Sequence, residues 1–211
     1  RLALGAAGAT LGWAALLVGA LLTLSGHAVG NAILPPLEHA VNLWVLVWIG
    51  WAILSAGAER VARWLDMGLV ILLVLVLAAY AYTAAQWSGL AATMAFGESR
   101  LALPWTFAPV VLCILGVVLL ITRYRSAQDV PLKVAFFLVV IAGHAVALAQ
   151  LAPDRLAGAY AGGARLGMLA AMPVFLAVVY RSVLSSFTPS SAILSQTTTA
   201  DAEPAPAKPI Y

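Results

Sequence analysis

The chain has 211 residues, of which 64% are apolar and 9% charged, and its formal net charge is +3. Soluble domains carry about 45–50% apolar and about 25% charged residues, so this composition predicts an integral membrane protein with the lipid bilayer as its surroundings. The basic residues are scattered and form no stripe, which excludes nucleic-acid binding. The single cysteine, Cys113, excludes a disulfide scaffold.

Six apolar stretches are long enough to cross a bilayer as helices, which takes about 20 residues each. The predicted spans are residues 2–24, 37–57, 67–87, 104–123, 131–152 and 163–185. Pro36, Pro104 and Pro131 stand at or near predicted helix starts, where a missing N–H costs least. The predicted fold class is therefore all-α, a polytopic bundle of six transmembrane helices. Because the chain begins at Arg1 rather than methionine, a further helix before it would make seven.

Two segments outside the spans have a composition of their own. The connection between the third and fourth spans contains Met94, Phe96 and Trp105, which favours a short helix at the membrane interface. Residues 188–211 are rich in Ser, Thr, Ala and Pro and cannot bury enough apolar surface to fold alone. They are either a linker to a further domain or a plain disordered terminus.

The distribution of basic residues predicts the orientation. With six spans, both termini and the second and fourth connections share one side. That side holds eight Lys and Arg residues: Arg1, Arg60, Arg63, Arg123, Arg125, Lys133, Arg181 and Lys208. The other side holds three: Arg100, Arg155 and Arg165. The excess marks the cytoplasmic face, so we expect both termini in the cytoplasm and the chain in the inner (plasma) membrane.

Ionisable residues inside a membrane are functional candidates, and this chain has few. His144 lies within the fifth predicted span, Glu38 and His39 lie in the first predicted turn of the second, and His27 follows the first. We predict an outward-facing ligand pocket formed by His27, Glu38, His39 and Trp87. Glu38 also has a purely structural interpretation, because a carboxylate in a first turn meets the positive end of the helix dipole.

The three histidines also raise the alternative of a haem site, which needs two imidazoles at a common level. By the predicted spans, His39 lies about 4 Å from its helix start and His144 about 13 Å from its helix end. These depths argue against bis-histidine ligation, and no tight His-x-x-x-His spacing indicates a metal. We therefore expect no cofactor. His144 is interpreted as an interhelical hydrogen bond beside Gly143, and we assign it to a core hinge region with Pro173, which should kink the sixth helix.

Aromatic and small residues recur at helical spacing. Trp44, Trp48 and Trp51 share one face of the second span, and they either pack against a neighbour or line a cavity for a lipid-like ligand, a quinone or a chromophore. Four glycines permit close approach of helices, within one subunit or towards a homodimer or membrane-complex partner. They are Gly8, Gly12, Gly163 and Gly167.

Three short stretches together resemble a known arrangement. They are residues 35–40 (PPLEHA), residues 142–144 (AGH), and residues 164–167 (ARLG) followed by Met172 and Pro173. With the helix layout, this pattern resembles the N-terminal multi-pass membrane region that precedes GAF, PAS and histidine-kinase modules in some bacterial signalling proteins. The resemblance covers the chain up to Phe187. It implies a sensory or anchoring input domain of a two-component system, with residues 188–211 leading to an output domain such as a histidine kinase.

These observations support three hypotheses of function, and none includes a catalytic site within this chain. The first is the sensory or anchoring module, which would signal by a population shift between two helix packings. The second is an accessory subunit of a larger energy-transducing membrane complex. The third is a haem-binding redox protein that uses His144 with another histidine. An acidic residue or lysine in mid-span, which a coupled transporter or a retinal protein would need, is absent from the sequence.

Overall fold

The computed structural model describes residues 1–25, 29–56, 63–125, 129–150 and 162–187. These residues form six α-helices and one short 3-10 helix, without a strand among them. The helices are α1 (Leu2–Leu24), α2 (Val29–Ser55), α3 (Arg63–Ser88), α4 (Ala102–Thr122), α5 (Val130–Gln150) and α6 (Gly163–Phe187), and the 3-10 helix is Phe96–Glu98. The all-α prediction is confirmed. His27 and residues 188–211 lie outside the described residues.

Each of the six α-helices is long and apolar enough to cross a membrane. The shortest apolar stretch has 20 residues, which at 1.5 Å per residue reaches about 30 Å, the thickness of a hydrocarbon core. Only 17% of the residues in the most apolar part of α1, and likewise of α3, are buried inside the molecule. Many Leu and Val side chains of these two helices are exposed, as lipid contact requires. The structure is that of a six-helix membrane bundle.

The second helix, α2, is the centre of the bundle. It packs against α1, α3 and α4 and touches α6 over a short stretch, whereas α5 packs between α4 and α6. Over half of its most apolar part is buried, and Val45, Ile49 and Ile53 are almost fully enclosed. Because α2 meets helices on several sides, it is apolar on several faces. Its sequence therefore lacks the one-sided apolar pattern from which its neighbours could be predicted.

The start of α2 differs from the prediction. The helix begins at Val29, eight residues before the predicted start, and Pro35 and Pro36 lie inside it. The reason is tertiary packing, since Leu34 and Leu37 contact α1 around Gly19, and such contacts stabilise helical turns that sequence propensity alone disfavours. The other predicted helix starts and described helix ends lie within four residues of those observed.

The tryptophan face of α2 packs against the glycines of α1. The indole Nε1 of Trp44 donates a hydrogen bond to the carbonyl oxygen of Gly8 at 2.9 Å. A Cβ atom added at Gly8 would overlap the ring of Trp48, and one added at Gly12 would lie 2.8 Å from Trp44. The packing interpretation of this stripe is therefore confirmed for Trp44 and Trp48, and the glycines leave room for large side chains.

The glycines of α5 and α6 bring two backbones together. A Cβ atom added at Gly143 would lie 2.5 Å from the Cα of Gly167, and one added at Gly163 would lie 2.7 Å from the carbonyl oxygen of Gly143. Such contact permits close van der Waals packing in lipid, where no hydrophobic force joins helices. Association of this chain with a partner through these glycines stays a prediction, and it would require α1 or α6 to move aside.

Polar contacts tie the helices together at the end of the bundle where α1, α3 and α5 begin, here called the terminal end. Asp66, near the start of α3, accepts a hydrogen bond from Trp51 Nε1 at 3.0 Å and pairs with Arg1 at 3.2 Å. The buried Nζ of Lys133 donates to the carbonyl oxygen of Ala56 at 2.5 Å, just beyond the C-terminal end of α2. The negative end of the helix dipole stabilises a cation at this position. The opposite end, where α2, α4 and α6 begin, is called the distal end.

Candidate functional site at the distal end

A two-pronged ion pair joins α2 to α6 near the distal end. The guanidinium of Arg165 donates from Nε to Oε1 of Glu38 and from Nη2 to Oε2, the latter at 2.5 Å. The Glu38 side chain is 25% exposed and that of Arg165 is 60% exposed. A planar guanidinium engages both oxygens of one carboxylate, which fixes the first turn of α6 relative to α2.

His39 lies next to Glu38 and belongs to the same cluster. Its ring centroid lies 5.2 Å from that of Phe96 in a tilted arrangement. It interacts electrostatically with Glu38, Arg165 and His144. Three helices thus bring two imidazoles, one carboxylate and one guanidinium together, and we call Glu38, His39, His144 and Arg165 the distal polar cluster.

His144 is the buried member of this cluster, with 3% of its surface exposed. Its Nδ1 donates a hydrogen bond to the carbonyl oxygen of Val140 at 2.9 Å, which in a neutral ring places the proton on Nδ1. This bond lies within α5, so the predicted interhelical hydrogen bond is wrong. The neighbouring residue, Gly143, does let α6 approach, as its contact with Gly167 shows.

Phe96, in the connection between α3 and α4, packs against His39, and Trp87 near the end of α3 packs behind Phe96. Phe96 belongs to the 3-10 helix, and the Trp87 ring meets it edge to face at a centroid distance of 5.1 Å. Trp87 is 2% exposed and Phe96 is 6% exposed. Trp87 is therefore a buried support behind Phe96 rather than an open wall of a pocket.

The three stretches on which the resemblance rests meet at this site. Residues 35–40 supply Glu38 and His39, residues 142–144 supply His144, and residues 164–167 supply Arg165. The structure thus brings together Glu38, His39 and Trp87 of the predicted pocket and adds His144, which the sequence had suggested for the core hinge. Pro173, the other hinge residue, lies inside α6 and is exposed, and its role in a hinge stays a prediction.

The earlier helix start also changes the depths of the histidines. Glu38 and His39 lie in the third turn of α2 and not in its first, so the helix-dipole interpretation of Glu38 is wrong. His39 lies about 15 Å from the start of α2, and His144 about 9 Å from the end of α5 at Gln150, at 1.5 Å per residue. The two depths thus differ by about 6 Å, against about 9 Å from the predicted spans, and a site shared by the two histidines stays a hypothesis.

Sequence reasoning missed two members of the site, Arg165 and Phe96. Arg165 was counted only as a basic residue, although it stands in the first turn of an apolar helix and can meet the carboxylate of Glu38. A charged residue placed so close to a membrane span implies a partner of opposite sign. Phe96 carries no such signal, because a single aromatic residue in a connection resembles an ordinary interfacial anchor.

The cluster is suited to holding helices and responding to charge, rather than to metal binding. In the part of the chain that the structure describes, no group of three or more His, Cys, Asp and Glu residues is placed to hold a metal ion. Both oxygens of Glu38 are already engaged by Arg165. A ligand or proton that changes the charge on Glu38 or His39 would act directly on the link between α2 and α6.

Comparison of the chain with models of protein families, with curated proteins and with solved structures finds no match. The geometry of the distal polar cluster is thus the basis on which a function can be argued.

Proposed function

We propose that this chain is the membrane-embedded sensory module of a signalling protein, in which α6 carries the signal to a cytoplasmic output domain. The observation that supports the proposal is the ion pair between Glu38 and Arg165. It links α6, the last helix before residues 188–211, to the central helix of the bundle. A stimulus that breaks this pair would free the distal end of α6.

The way in which α6 is held supports a role as the output helix. Beyond its ion pair with Glu38, it packs mainly along α5, and near its terminal end Arg181 pairs with Asp129 at 2.9 Å. The middle of α6 thus packs mainly against one neighbour, and an ion pair lies near each of its ends. Two packings of such a helix differ by few contacts, which is what a switch between populations requires.

The proposed orientation places the terminal end in the cytoplasm and the module in the inner membrane. The eight to three excess of Lys and Arg supports it, since cytoplasmic connections carry the excess of basic residues. The distal polar cluster then lies near the outer surface, where an external stimulus reaches it.

A distance measurement between spin labels tests the proposed signal path. Met67→Cys on α3 and Tyr180→Cys on α6 introduce labelling sites at exposed positions, while Cys113 is fully buried and stays unlabelled. In lipid nanodiscs, Arg165→Gln or Glu38→Gln should shift or broaden the distance distribution by about 2 Å, the scale of helix shifts in switching proteins.

The matched control is Arg125→Gln, which removes an exposed cation at the terminal end that has no ion pair among the described residues. It should leave the distribution unchanged. Superimposable distributions for the native chain, Arg165→Gln and Glu38→Gln would contradict the proposal.

The intact mass of the native polypeptide is the second test. A sensory module implies an output domain, and hence a mass tens of kilodaltons above the 21.9 kDa of this chain. A native mass close to 21.9 kDa would contradict the proposal and favour the accessory subunit of a membrane complex.

Bis-histidine haem binding is a second candidate, because His39 and His144 are near enough to interact electrostatically. The bond from His144 Nδ1 to a backbone carbonyl is the kind that orients a ligating imidazole. A Soret band in the purified protein that is lost in His144→Ala would support this candidate. A colourless protein that stays colourless after incubation with haemin would exclude it.

A further inference from the structure

A continuous apolar groove runs along α2 between α3 and α4. Both helices pack on α2 but share few contacts with each other. Near the distal end they are linked by a hydrogen bond of 3.1 Å from the indole Nε1 of Trp105 to the hydroxyl of Thr83, and the space along α2 beyond this link stays open. Three clefts of about 170, 440 and 240 Å³ lie in this space. Neighbouring clefts share lining residues, which makes them one groove: they include Leu43, Val47, Leu72, Ala79, Ala108 and Leu112.

The groove is apolar along most of its length and cationic at its distal mouth. Its lining between the two mouths is made of aliphatic and aromatic side chains. The distal mouth is lined by Arg100, Tyr82 and Thr83. Arg100 is exposed and has no ion pair within the described ranges. At the other end, a Cβ added at Gly68 would meet no atom within 4 Å, so the groove is open there too.

We propose that this groove binds an anionic phospholipid, with an acyl chain along α2 and the headgroup phosphate at Arg100. The inference does not rest on the proposed sensory role. Charge complementarity supports it, because a guanidinium engages phosphate oxygens by two parallel hydrogen bonds. The apolar lining below Arg100 matches a hydrocarbon chain, which gains van der Waals contacts from α2, α3 and α4.

Native mass spectrometry of the purified chain tests the proposal. Protein in detergent is incubated with dioleoyl phosphatidylglycerol or with dioleoyl phosphatidylcholine, and the retained lipid is counted. The chain should retain the anionic lipid preferentially. Arg100→Gln should weaken its retention about fivefold, the effect of removing one lipid-facing cation. Ala79→Leu, which fills the middle of the groove, should reduce retention of the acyl chain whatever the headgroup.

Two matched controls make the result specific. Ala78→Leu adds the same side chain at the exposed neighbouring position of α3, outside the groove lining, and Arg125→Gln removes an exposed cation at the terminal end. Both should retain lipid like the native chain. Equal retention of the two lipids by the native chain, or equal effects of Arg100→Gln and Arg125→Gln, would overturn the proposal. So would unchanged lipid retention in Ala79→Leu with an altered oligomeric state, which would indicate a second copy in the groove.

Discussion

The α1–α2 and α5–α6 interfaces are both built on glycines four residues apart, yet they work differently. In α1, Gly8 and Gly12 make room for the indole rings of Trp48 and Trp44. Across α5 and α6, Gly143 and Gly167 bring two backbones into contact. A side chain can rotate away from an added atom, whereas a helix backbone moves only as a whole. The same sequence motif therefore produces two interfaces that differ in how well they tolerate an added side-chain atom.

The largest expected effect comes from Gly143→Ala at the backbone interface. The new Cβ would lie 2.5 Å from the Cα of Gly167, so α5 and α6 must separate. We expect a loss of about 3 kcal/mol in the free energy of unfolding, measured by SDS titration in mixed micelles. A loss below about 0.5 kcal/mol, within the range of neutral surface changes, would contradict the backbone contact.

A smaller effect is expected from Gly8→Ala at the indole interface. The added Cβ overlaps the ring of Trp48, but this ring is partly exposed and can shift, so we expect a loss of about 1–2 kcal/mol in the same titration. The double variant Gly8→Ala with Trp48→Leu should recover part of that loss, which a double-mutant cycle measures. Strict additivity of the two changes would show that the ring does not determine the cost of Gly8→Ala.

A still smaller loss in the free energy of unfolding is expected when the ion pair between Glu38 and Arg165 is removed. Because the Arg165 side chain is 60% exposed, water screens the pair, and Arg165→Gln should lower the free energy of unfolding by about 0.5–1 kcal/mol. The variant thus separates signalling from stability. A loss comparable to that of Gly143→Ala would mean that the pair holds the bundle together and is not a movable link.

The smallest effect is expected from Gly68→Ala, the matched control for both interfaces. An added Cβ meets no atom within 4 Å, and alanine favours a helix over glycine by about 1 kcal/mol in exposed positions. Stability should therefore be unchanged or slightly raised. A clear destabilisation by Gly68→Ala would show that glycine removal is costly for reasons other than packing, and would weaken the comparison.

The start of α2 could not be predicted correctly from the sequence. Apolar length located the helix, but Pro36 suggested a start eight residues too late, because contacts of Leu34 with α1 extend the helix beyond the prolines. That error placed Glu38 and His39 in the first turn of the helix. Their position near His144 was therefore not predicted. Glu38 and His39 nevertheless lie at one site, with Trp87 buried behind Phe96, since residues near one end of neighbouring spans meet at that end. The ligand pocket itself stays a prediction.

The lengths of the apolar runs in the sequence are enough to predict a bundle of membrane helices and the positions of most of these helices. The physical reason is that backbone groups in lipid must be satisfied within a helix, so a run of 20 apolar residues allows one structure. Which faces meet follows from the tertiary structure alone: the tryptophans with α1, Glu38 with Arg165, and Trp105 of α4 with Thr83 of α3. These spans are apolar on nearly every side, since lipid and protein neighbours both accept hydrocarbon, and the sequence therefore carries little record of which neighbour each face meets.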